Sequence, residues 1–223
     1  MDMLPLQLRE GYLFIESGGE LWLLDTGAPF SFGTSRTLCI AGEQFSIGPG
    51  VASINAETIS QSVKVPCAGL IGADILGRFD HIMDIGGGTL ALSKDKLQHQ
   101  GESIPLTYWM EIPVVKARIG DRVFQMFFDT GAHVSYLQDA SLTSFPPAGR
   151  INDFYPSFGT FQTDTYEVPV SLGAVTFTLQ CGTLPALLAR TLLMMSDKKG
   201  IVGNAILHNR KVGYFPRRRM LIL

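Results

Sequence analysis

The chain has 223 residues, of which 46% are hydrophobic and 17% are charged, and its formal net charge at pH 7 is −2. Because Lys and Arg are not in surplus, a surface that binds nucleic acid or an anionic membrane is not expected. The longest apolar segment, residues 184–195, is too short to span a bilayer and contains Arg190, so we predict no membrane-spanning helix.

Short strands broken by Gly and Pro dominate the elements predicted along the chain. Residues 12–25 predict a hairpin around a Gly-Gly turn, and residues 114–129 predict another around a Gly-Asp turn. Residues 81–93 and 211–223 predict two closing hairpins. Three short helices are predicted at residues 73–79, 185–194 and 204–209. The predicted fold class is all-β with minor short helices.

An internal repeat relates the two halves of the chain. The stretch WLLDTGAPFSF, residues 22–32, recurs as MFFDTGAHVSY, residues 126–136. A second block, GLIGADIL at residues 69–76, recurs as GIVGNAIL at residues 200–207. The blocks follow in the same order in both halves, which indicates two related structural units.

The boundary between these units is predicted in the polar stretch SKDKLQHQGES, residues 93–103. We therefore predict an N-terminal lobe, residues 1–98, with the first Asp-Thr-Gly, and a C-terminal lobe, residues 99–223, with the second. The second half is longer between its two blocks, which leaves room for an inserted hairpin and a short helix. Related halves usually pack about a pseudo-twofold axis, and such packing would bring Asp25 and Asp129 face to face.

Two facing carboxylates would have a distinctive chemistry, although a single Asp-Thr-Gly turn can arise by chance. At about 4 Å and an effective dielectric constant of about 20, like charges repel by roughly 4 kcal/mol, or about 3 pKa units. The pair therefore shares one proton over a wide pH range. Such a pair offers a base for an attacking water and an acid for the carbonyl oxygen of an amide.

The four ordered blocks LLDTGA, GLIGADIL, FFDTGA and GIVGNAIL resemble the aspartic proteases of the pepsin and retropepsin clan. The resemblance covers nearly the whole chain and implies a two-lobed, pepsin-like fold with Asp25 and Asp129 as the catalytic pair. It also implies that the hydroxyls of Thr26 and Thr130 tie the two loops together beneath that pair. The glycines that it places in the turns and under the loops are Gly27, Gly131, Gly72 and Gly203.

Ala28 and Ala132, which follow the two Asp-Thr-Gly turns, match the retroviral pattern, whereas pepsins usually have Ser or Thr there. No hydroxyl is then offered to the carboxylates, and the loss of a donor raises the pKa of a carboxylate. We therefore expect activity at weakly acidic pH, nearer about 5 than about 2.

A candidate flap lies in the longer second half. Residues 154–184 resemble a pepsin flap hairpin and the strands after it. The candidate flap residues that contact substrate are Tyr155, Phe158, Gly159, Thr160 and Phe161. A hydrophobic hairpin that packs on the second lobe without contacting substrate stays open as the alternative. The first half has only residues 40–55 in the corresponding place, which predict a stub or a shorter second flap.

Two further features of the sequence have alternative interpretations. His133 follows Asp129 by four residues, and it is either a lobe-surface or core histidine or a group that perturbs Asp129. The run Arg-Arg-Arg at residues 217–219 corresponds to Gly-Gly-Gly at residues 86–88, so we predict a solvated hairpin turn there, with an acidic partner as the alternative.

The sequence thus predicts an aspartic-type endopeptidase, a hydrolase that cleaves peptide or protein substrates with a water activated by Asp25 and Asp129. Apolar residues are expected around the cut, without a metal or cofactor, and one chain carrying both halves predicts a monomer. The alternatives are a catalytically silent peptide-binding module with a pepsin-like cleft and a latent enzyme that needs a partner. The start lacks a cationic and apolar leader, so we expect a cytoplasmic protein, with a removed leader left open.

Overall fold

The computed structural model describes residues 1–51, 54–155, 158–194 and 196–223, and within them the chain forms twenty strands. The strands up to residue 93 are β1 (Asp2–Arg9), β2 (Tyr12–Ser17), β3 (Glu20–Leu24), β4 (Phe32–Gly33), β5 (Thr37–Ile40), β6 (Glu43–Ser46), β7 (Gly69–Ile71), β8 (Asp80–Asp84) and β9 (Thr89–Ser93). The others are β10 (Ser103–Pro105), β11 (Thr107–Trp109), β12 (Ile112–Ile119), β13 (Arg122–Phe128), β14 (Ser135–Leu137), β15 (Pro147–Tyr155), β16 (Gly159–Leu172), β17 (Val175–Gly182), β18 (Gly200–Val202), β19 (Lys211–Phe215) and β20 (Met220–Ile222).

Helices are short and few in the described ranges. The α-helices are α1 (Ala56–Val63), α2 (Ala73–Leu76) and α3 (Ala186–Ala189), and a π-helical turn, Arg190–Met194, continues α3. The 3-10 turns are Ala140–Ser144, Asn204–Leu207 and Pro216–Arg218. None of these helices in the described residues has the length and apolar character needed to cross a membrane.

The strands form two large sheets. The first has the order β10-β20-β19-β8-β9-β1-β2-β3-β7-β4, and the second has the order β11-β12-β13-β18-β14-β17-β16-β15. A separate hairpin pairs β5 with β6. The prediction of a mostly β fold with a two-lobed sheet arrangement is therefore confirmed.

The first sheet contains strands from both halves of the sequence. β19 pairs with β8 in antiparallel register, so that Lys211 lies opposite Asp84 and Tyr214 lies opposite His81. β10 and β20 extend this sheet further, although they follow residue 98. The last strands of the chain thus bind to the first half and fix the two halves relative to each other.

All four predicted hairpins form: β2–β3, β12–β13, β8–β9 and β19–β20. The three predicted helices also form but differ in extent and type, as α2, as α3 with its π-helical turn, and as the 3-10 turn Asn204–Leu207.

Helix α1 was not predicted, although its start carries a recognisable signal. Asn55 is its N-cap and accepts from the amide of Thr58, whose hydroxyl in turn accepts from the amide of Asn55. This reciprocal pair is a capping box. Ile59 and Val63, one turn apart, are both buried and hold the helix against β7 and its neighbours.

The hydrophobic core has one central and two flanking clusters. The central cluster contains side chains from both halves, including Leu13, Phe128 and Tyr214. One flanking cluster lies in the first half around Phe14 and Phe32, and the other lies in the second half. The flanking clusters form apolar surfaces on either side of the junction between the halves.

The Arg-Arg-Arg turn joins β19 to β20 as the predicted hairpin turn, with Arg217 and Arg219 exposed, and it also holds the acidic partner that the sequence left as the alternative. The Asp80 carboxylate has no exposed surface and lies 2.5 Å from Arg218 Nη2 and 3.0 Å from Arg217 Nη2. Its Oδ2 also accepts from the amide of Leu97, at 3.1 Å. A buried carboxylate with such partners is stable only while the cations remain.

We expect the double substitution Arg217→Gln/Arg218→Gln to lower the free energy of unfolding by about 3 kcal/mol, because it leaves the Asp80 charge buried without a cation. Denaturant-induced unfolding measures the change. Arg219→Gln, at the exposed end of the same turn, is the matched control and should change stability by less than about 0.5 kcal/mol. Equal stability of the double variant and the wild type would contradict this role of the pair.

Candidate active site

Each Asp-Thr-Gly turn begins at the end of a strand, and the two strands have equivalent neighbours in their sheets. β3 pairs in parallel with β7, and β13 pairs in parallel with β18. Immediately after each strand the aspartate amide continues the pairing: Asp25 N donates to Ile71 O and Asp129 N donates to Val202 O, both at 3.0 Å. Both aspartates are therefore held at the ends of paired strands rather than on free loops.

The threonines of the two turns bind each other's loops. Thr26 N donates to Thr130 Oγ1 and Thr130 N donates to Thr26 Oγ1, each at 3.0 Å. The hydroxyls donate onward across the junction, from Thr26 to Phe128 O at 2.7 Å and from Thr130 to Leu24 O at 2.9 Å. Both side chains are about 1% exposed. These reciprocal bonds fix the loops to each other as one unit.

Gly27 and Gly131 make room for the carboxyl group of the opposite turn. A Cβ on Gly27 would lie 2.3 Å from Asp129 Cγ, and a Cβ on Gly131 would lie 2.5 Å from Asp25 Cγ. Each glycine amide also donates to its own aspartate, Gly27 to Asp25 Oδ1 at 2.9 Å and Gly131 to Asp129 Oδ1 at 2.8 Å. Any side chain at these two positions would occupy the volume that the acids need.

Gly72 and Gly203 lie against the two loops, where the sequence resemblance placed them. A Cβ on Gly72 would be 2.7 Å from Ala28 O, and one on Gly203 would be 2.6 Å from Ala132 O. The amides that follow them, of Ala73 and Asn204, donate to the same two carbonyls at 2.8 Å. This close backbone contact supports each loop from below.

The carboxyl groups of Asp25 and Asp129 are half-buried, and each lies against the glycine of the opposite turn. Burial raises the pKa of Asp25 well above its ordinary value, and the neighbouring Asp129 raises it further. Burial also raises the pKa of Asp129, against the lowering effect of Asp25 and of amides such as that of Gly131. Such a pair can hold one proton between two acids.

Two cavities meet at the acid pair. The wider one has a volume of about 470 Å³, and its walls include Phe30, Val51 and Ile54 of the first half. The narrower one has a volume of about 90 Å³ and extends toward the second half. Asp25, Asp129, Ile59 and Tyr155 line both cavities. The acids therefore lie where the two cavities meet, in what we call the cleft.

The hairpin formed by β15 and β16 extends beside this cleft. Tyr155 lines both cavities, and the charges of Asp129 and Asp25 add to burial in raising the pKa of its phenol. Phe161 lines the narrow cavity and packs against Tyr136. Phe158, 39% exposed, packs edge-on against Phe161 near the hairpin tip.

The other candidate flap residues, Phe158, Gly159 and Thr160, do not line either cavity. Gly159 starts β16 opposite Tyr155 and has a φ of +90°, and Thr160 pairs with Phe154. Residues 156 and 157, which precede them in the sequence, lie outside the described part of the chain.

The segment considered for a stub or a second flap in the first half forms the β5–β6 hairpin and the loop after it. Val51, 68% exposed, and Gly50 of this loop line the wide cavity. Residues 52 and 53, part of the predicted segment, lie outside the described residues. Both halves thus contribute a segment to the rim of the cleft.

Several residues at the site were not predicted from the sequence. Ile59 and Val63 reach the cleft from α1, and Tyr12, Tyr136 and Asp153 line the narrow cavity from strands. A capping box could have found α1, but single polar residues on strands look like ordinary surface positions.

His133 packs its ring against Tyr12, with centroids 5.0 Å apart, and its Nδ1 lies 3.7 Å from Asp153 Oδ1. Its ionic neighbour is therefore Asp153.

The fold is similar to a pepsin-like, aspartic protease-like fold. The crystal structure of Basic 7S globulin from soybean, which has an aspartic protease-like fold, superposes with a TM-score of 0.50 at 11% sequence identity. The match covers 98% of this chain and 93% of that one. No protein-family model matches the chain, and no curated protein matches its sequence. At this identity the likeness shows the fold alone.

Proposed function

We propose that this chain is an aspartic-type endopeptidase in which Asp25 and Asp129 together activate a water molecule. The observation that carries the proposal is the placement of two carboxyl groups, each against the glycine of the opposite turn, where two cavities meet. Two halves related by a pseudo-twofold axis, with a boundary near residue 98, are part of this proposal. Because one chain supplies both acids, a monomer suffices.

In the proposed reaction the two acids have different roles. The ionised carboxylate takes a proton from the water as the oxygen attacks the peptide carbonyl, and the protonated carboxyl donates a hydrogen bond to the carbonyl oxygen. The proton then passes to the amine that leaves, so the pair ends each turnover with the single shared proton it began with. The threonine bonds and the turn glycines act as positioning groups that keep the acids in contact.

The proposed substrate is a peptide or protein segment bound in extended form along the cleft. Extended peptides bind such clefts by main-chain hydrogen bonds and place side chains in pockets on either side. The wide cavity has aromatic and aliphatic walls, including Phe30 and Ile54, which supports an apolar residue on one side of the cut. Tyr155 at the junction of both cavities supports a flap role for the β15–β16 hairpin.

Incubation of the protein with a mixed peptide library from pH 3 to 8, with and without a statine-type inhibitor, tests the proposal. We expect cleavage that the inhibitor abolishes. Binding of the inhibitor without any cleavage would instead favour a silent peptide-binding module. Absence of both binding and cleavage would contradict an aspartic protease site.

The pH dependence of the reaction should respond to the residue after the first Asp-Thr-Gly. The amide of Ala28 donates to Asp25 Oδ1 at 2.8 Å, and its methyl group offers no further donor. A serine hydroxyl there stabilises the carboxylate and lowers its pKa. Asp25 is the acid whose pKa the facing Asp129 raises, so it holds the shared proton, and loss of that proton sets the alkaline limb of the kcat/KM profile. We therefore expect Ala28→Ser to move this alkaline limb downward by about 1 pH unit.

The matched control for this prediction is Ala174→Ser, which adds the same hydroxyl at an exposed turn and should leave the profile in place. A profile of Ala28→Ser that shifts upward, or that does not move, would contradict the assignment of the limb to Asp25.

A further inference from the structure

A third carboxyl group, that of Asp153, lies in the narrow cavity beside the acid pair. Asp153 is on β15, and its side chain is 8% exposed. It lines the same 90 Å³ cavity as Asp25 and Asp129, and the proposed reaction does not use it.

The Asp153 carboxylate is held in place by two donors. Its Oδ1 accepts from the amide of Phe154 at 2.7 Å, and its Oδ2 accepts from the hydroxyl of Tyr136. Tyr12 lines the same cavity, and burial, followed by the charge of Asp153, raises the pKa of both phenols, so they stay neutral. A carboxylate offers about four acceptor positions, so at least one remains open for a further donor.

The lining of the cavity offers no permanently charged cation to balance this charge. None of its lining residues, all within the described part of the chain, is Lys or Arg. His133, outside the lining, has its Nδ1 3.7 Å from Asp153 Oδ1 and pairs with that carboxylate only when its imidazole is protonated. Among the described residues no three His, Cys, Asp or Glu side chains converge as metal ligands. A cation carried by a bound peptide therefore fits this charge better than a metal ion does.

The walls of the cavity fit a slender side chain with an apolar stem. Leu23, Val63, Leu184 and Ile201 line it, and its volume of about 90 Å³ contrasts with about 470 Å³ on the other side of the acids. Lys and Arg have apolar stems that pack along such surfaces and a charged end that needs a partner. We propose that the narrow cavity is a subsite for a Lys or Arg side chain next to the cleaved bond, and that Asp153 selects it.

This inference rests on the proposed endopeptidase function and sharpens its specificity. The protein would cut between a basic residue on the side of the narrow cavity and a large apolar residue on the side of the wide one. The sequence predicted only apolar residues around the cut, because Asp153 gives no sign in the sequence that it faces the acids.

The test uses a peptide that the protein cleaves, resynthesised with Lys, Arg, Gln or norleucine at each of the two positions flanking the cut. Norleucine has nearly the shape of Lys without its charge. At one of the two positions we expect kcat/KM for Lys or Arg to exceed that for norleucine by about 10-fold or more. In Asp153→Asn the ratio of kcat/KM for Lys or Arg to kcat/KM for norleucine should fall to about 1. The ratio is taken within each protein, so a general loss of activity does not affect it.

A pair of statine-core inhibitors that differ only in Lys or norleucine at that position repeats the comparison on the wild-type protein and needs no variant to fold. Cleavage and inhibition without a preference for the basic residue would overturn the subsite and leave the endopeptidase standing. A preference that survives in folded Asp153→Asn would overturn the role of Asp153. Failure of every peptide and inhibitor would remove the endopeptidase, and the subsite with it.

Discussion

Asp25→Asn is expected to lower kcat/KM for peptide cleavage by about 10³-fold or more, and Asp129→Asn should do the same. An amide can neither take the proton of the water nor share a proton with the facing acid. Because the two carboxyl groups act as a unit, the double variant should be little worse than either single variant. Steady-state cleavage of a library-derived peptide measures the loss.

Two controls separate this effect from unfolding. Asp121→Asn, at an exposed hairpin turn, makes the same chemical change away from the cleft and should cleave like the wild type. Burial raises both pKa values of the acid pair, so its ionisation lowers stability as pH rises through the folded-state pKa values. Removing one charge should therefore not lower the melting temperature at pH 7. Cleavage that survives in either Asn variant would assign the activity elsewhere.

Gly27→Ala and Gly131→Ala are expected to reduce kcat/KM by about 10²-fold, because a displacement of about 1 Å at reacting groups has an effect of this size. The added methyl carbon would stand 2.3 Å from Asp129 Cγ or 2.5 Å from Asp25 Cγ, and the carboxyl group of a short side chain must move to relieve the contact. Neither glycine has a positive φ, so the change acts through space and not through backbone strain.

Gly86→Ala is the matched control for these variants. A Cβ there has only one neighbouring atom, at 3.8 Å, and the residue lies in a hairpin turn. We expect wild-type kinetics for this control. Wild-type kinetics for Gly27→Ala as well would contradict the placement of the Asp129 carboxyl group over that glycine.

Much of the fold was predictable because its signals are local. Each hairpin is encoded by a turn between two apolar runs, and each Asp-Thr-Gly follows a buried strand that must end there. The helices were less predictable: the π-helical turn after α3 and the 3-10 form of Asn204–Leu207 depend on packing rather than on periodicity. Helix α1 had a capping box, but only three of its eight residues are buried, so its apolar pattern is weak.

The cleft depends on contacts between residues that are far apart in the sequence. Tyr12 comes from β2, Tyr136 from β14 and Asp153 from β15. Tyr136 ends the second repeat block and Asp153 is close to the candidate flap, but no sequence pattern joins the three residues in one cavity. The Arg217 and Arg218 pairing with Asp80 is similar, since it joins a C-terminal turn to a strand of the first half. The correspondence of residues 217–219 with residues 86–88 suggested a solvated turn. The pairing of β19 with β8 also brings Asp80 within reach of the arginines.

By itself the sequence determined that this protein has two related halves, each with an acidic turn after a buried strand, because repeats and turns are properties of neighbouring residues. Only the tertiary structure decided that the two acids line the same two cavities, that one cavity is wide and the other narrow, and that Asp153 lies in the narrow one. The shape and charge of a cavity depend on residues from separate strands. The sequence pattern of one strand does not show which other strands it will contact.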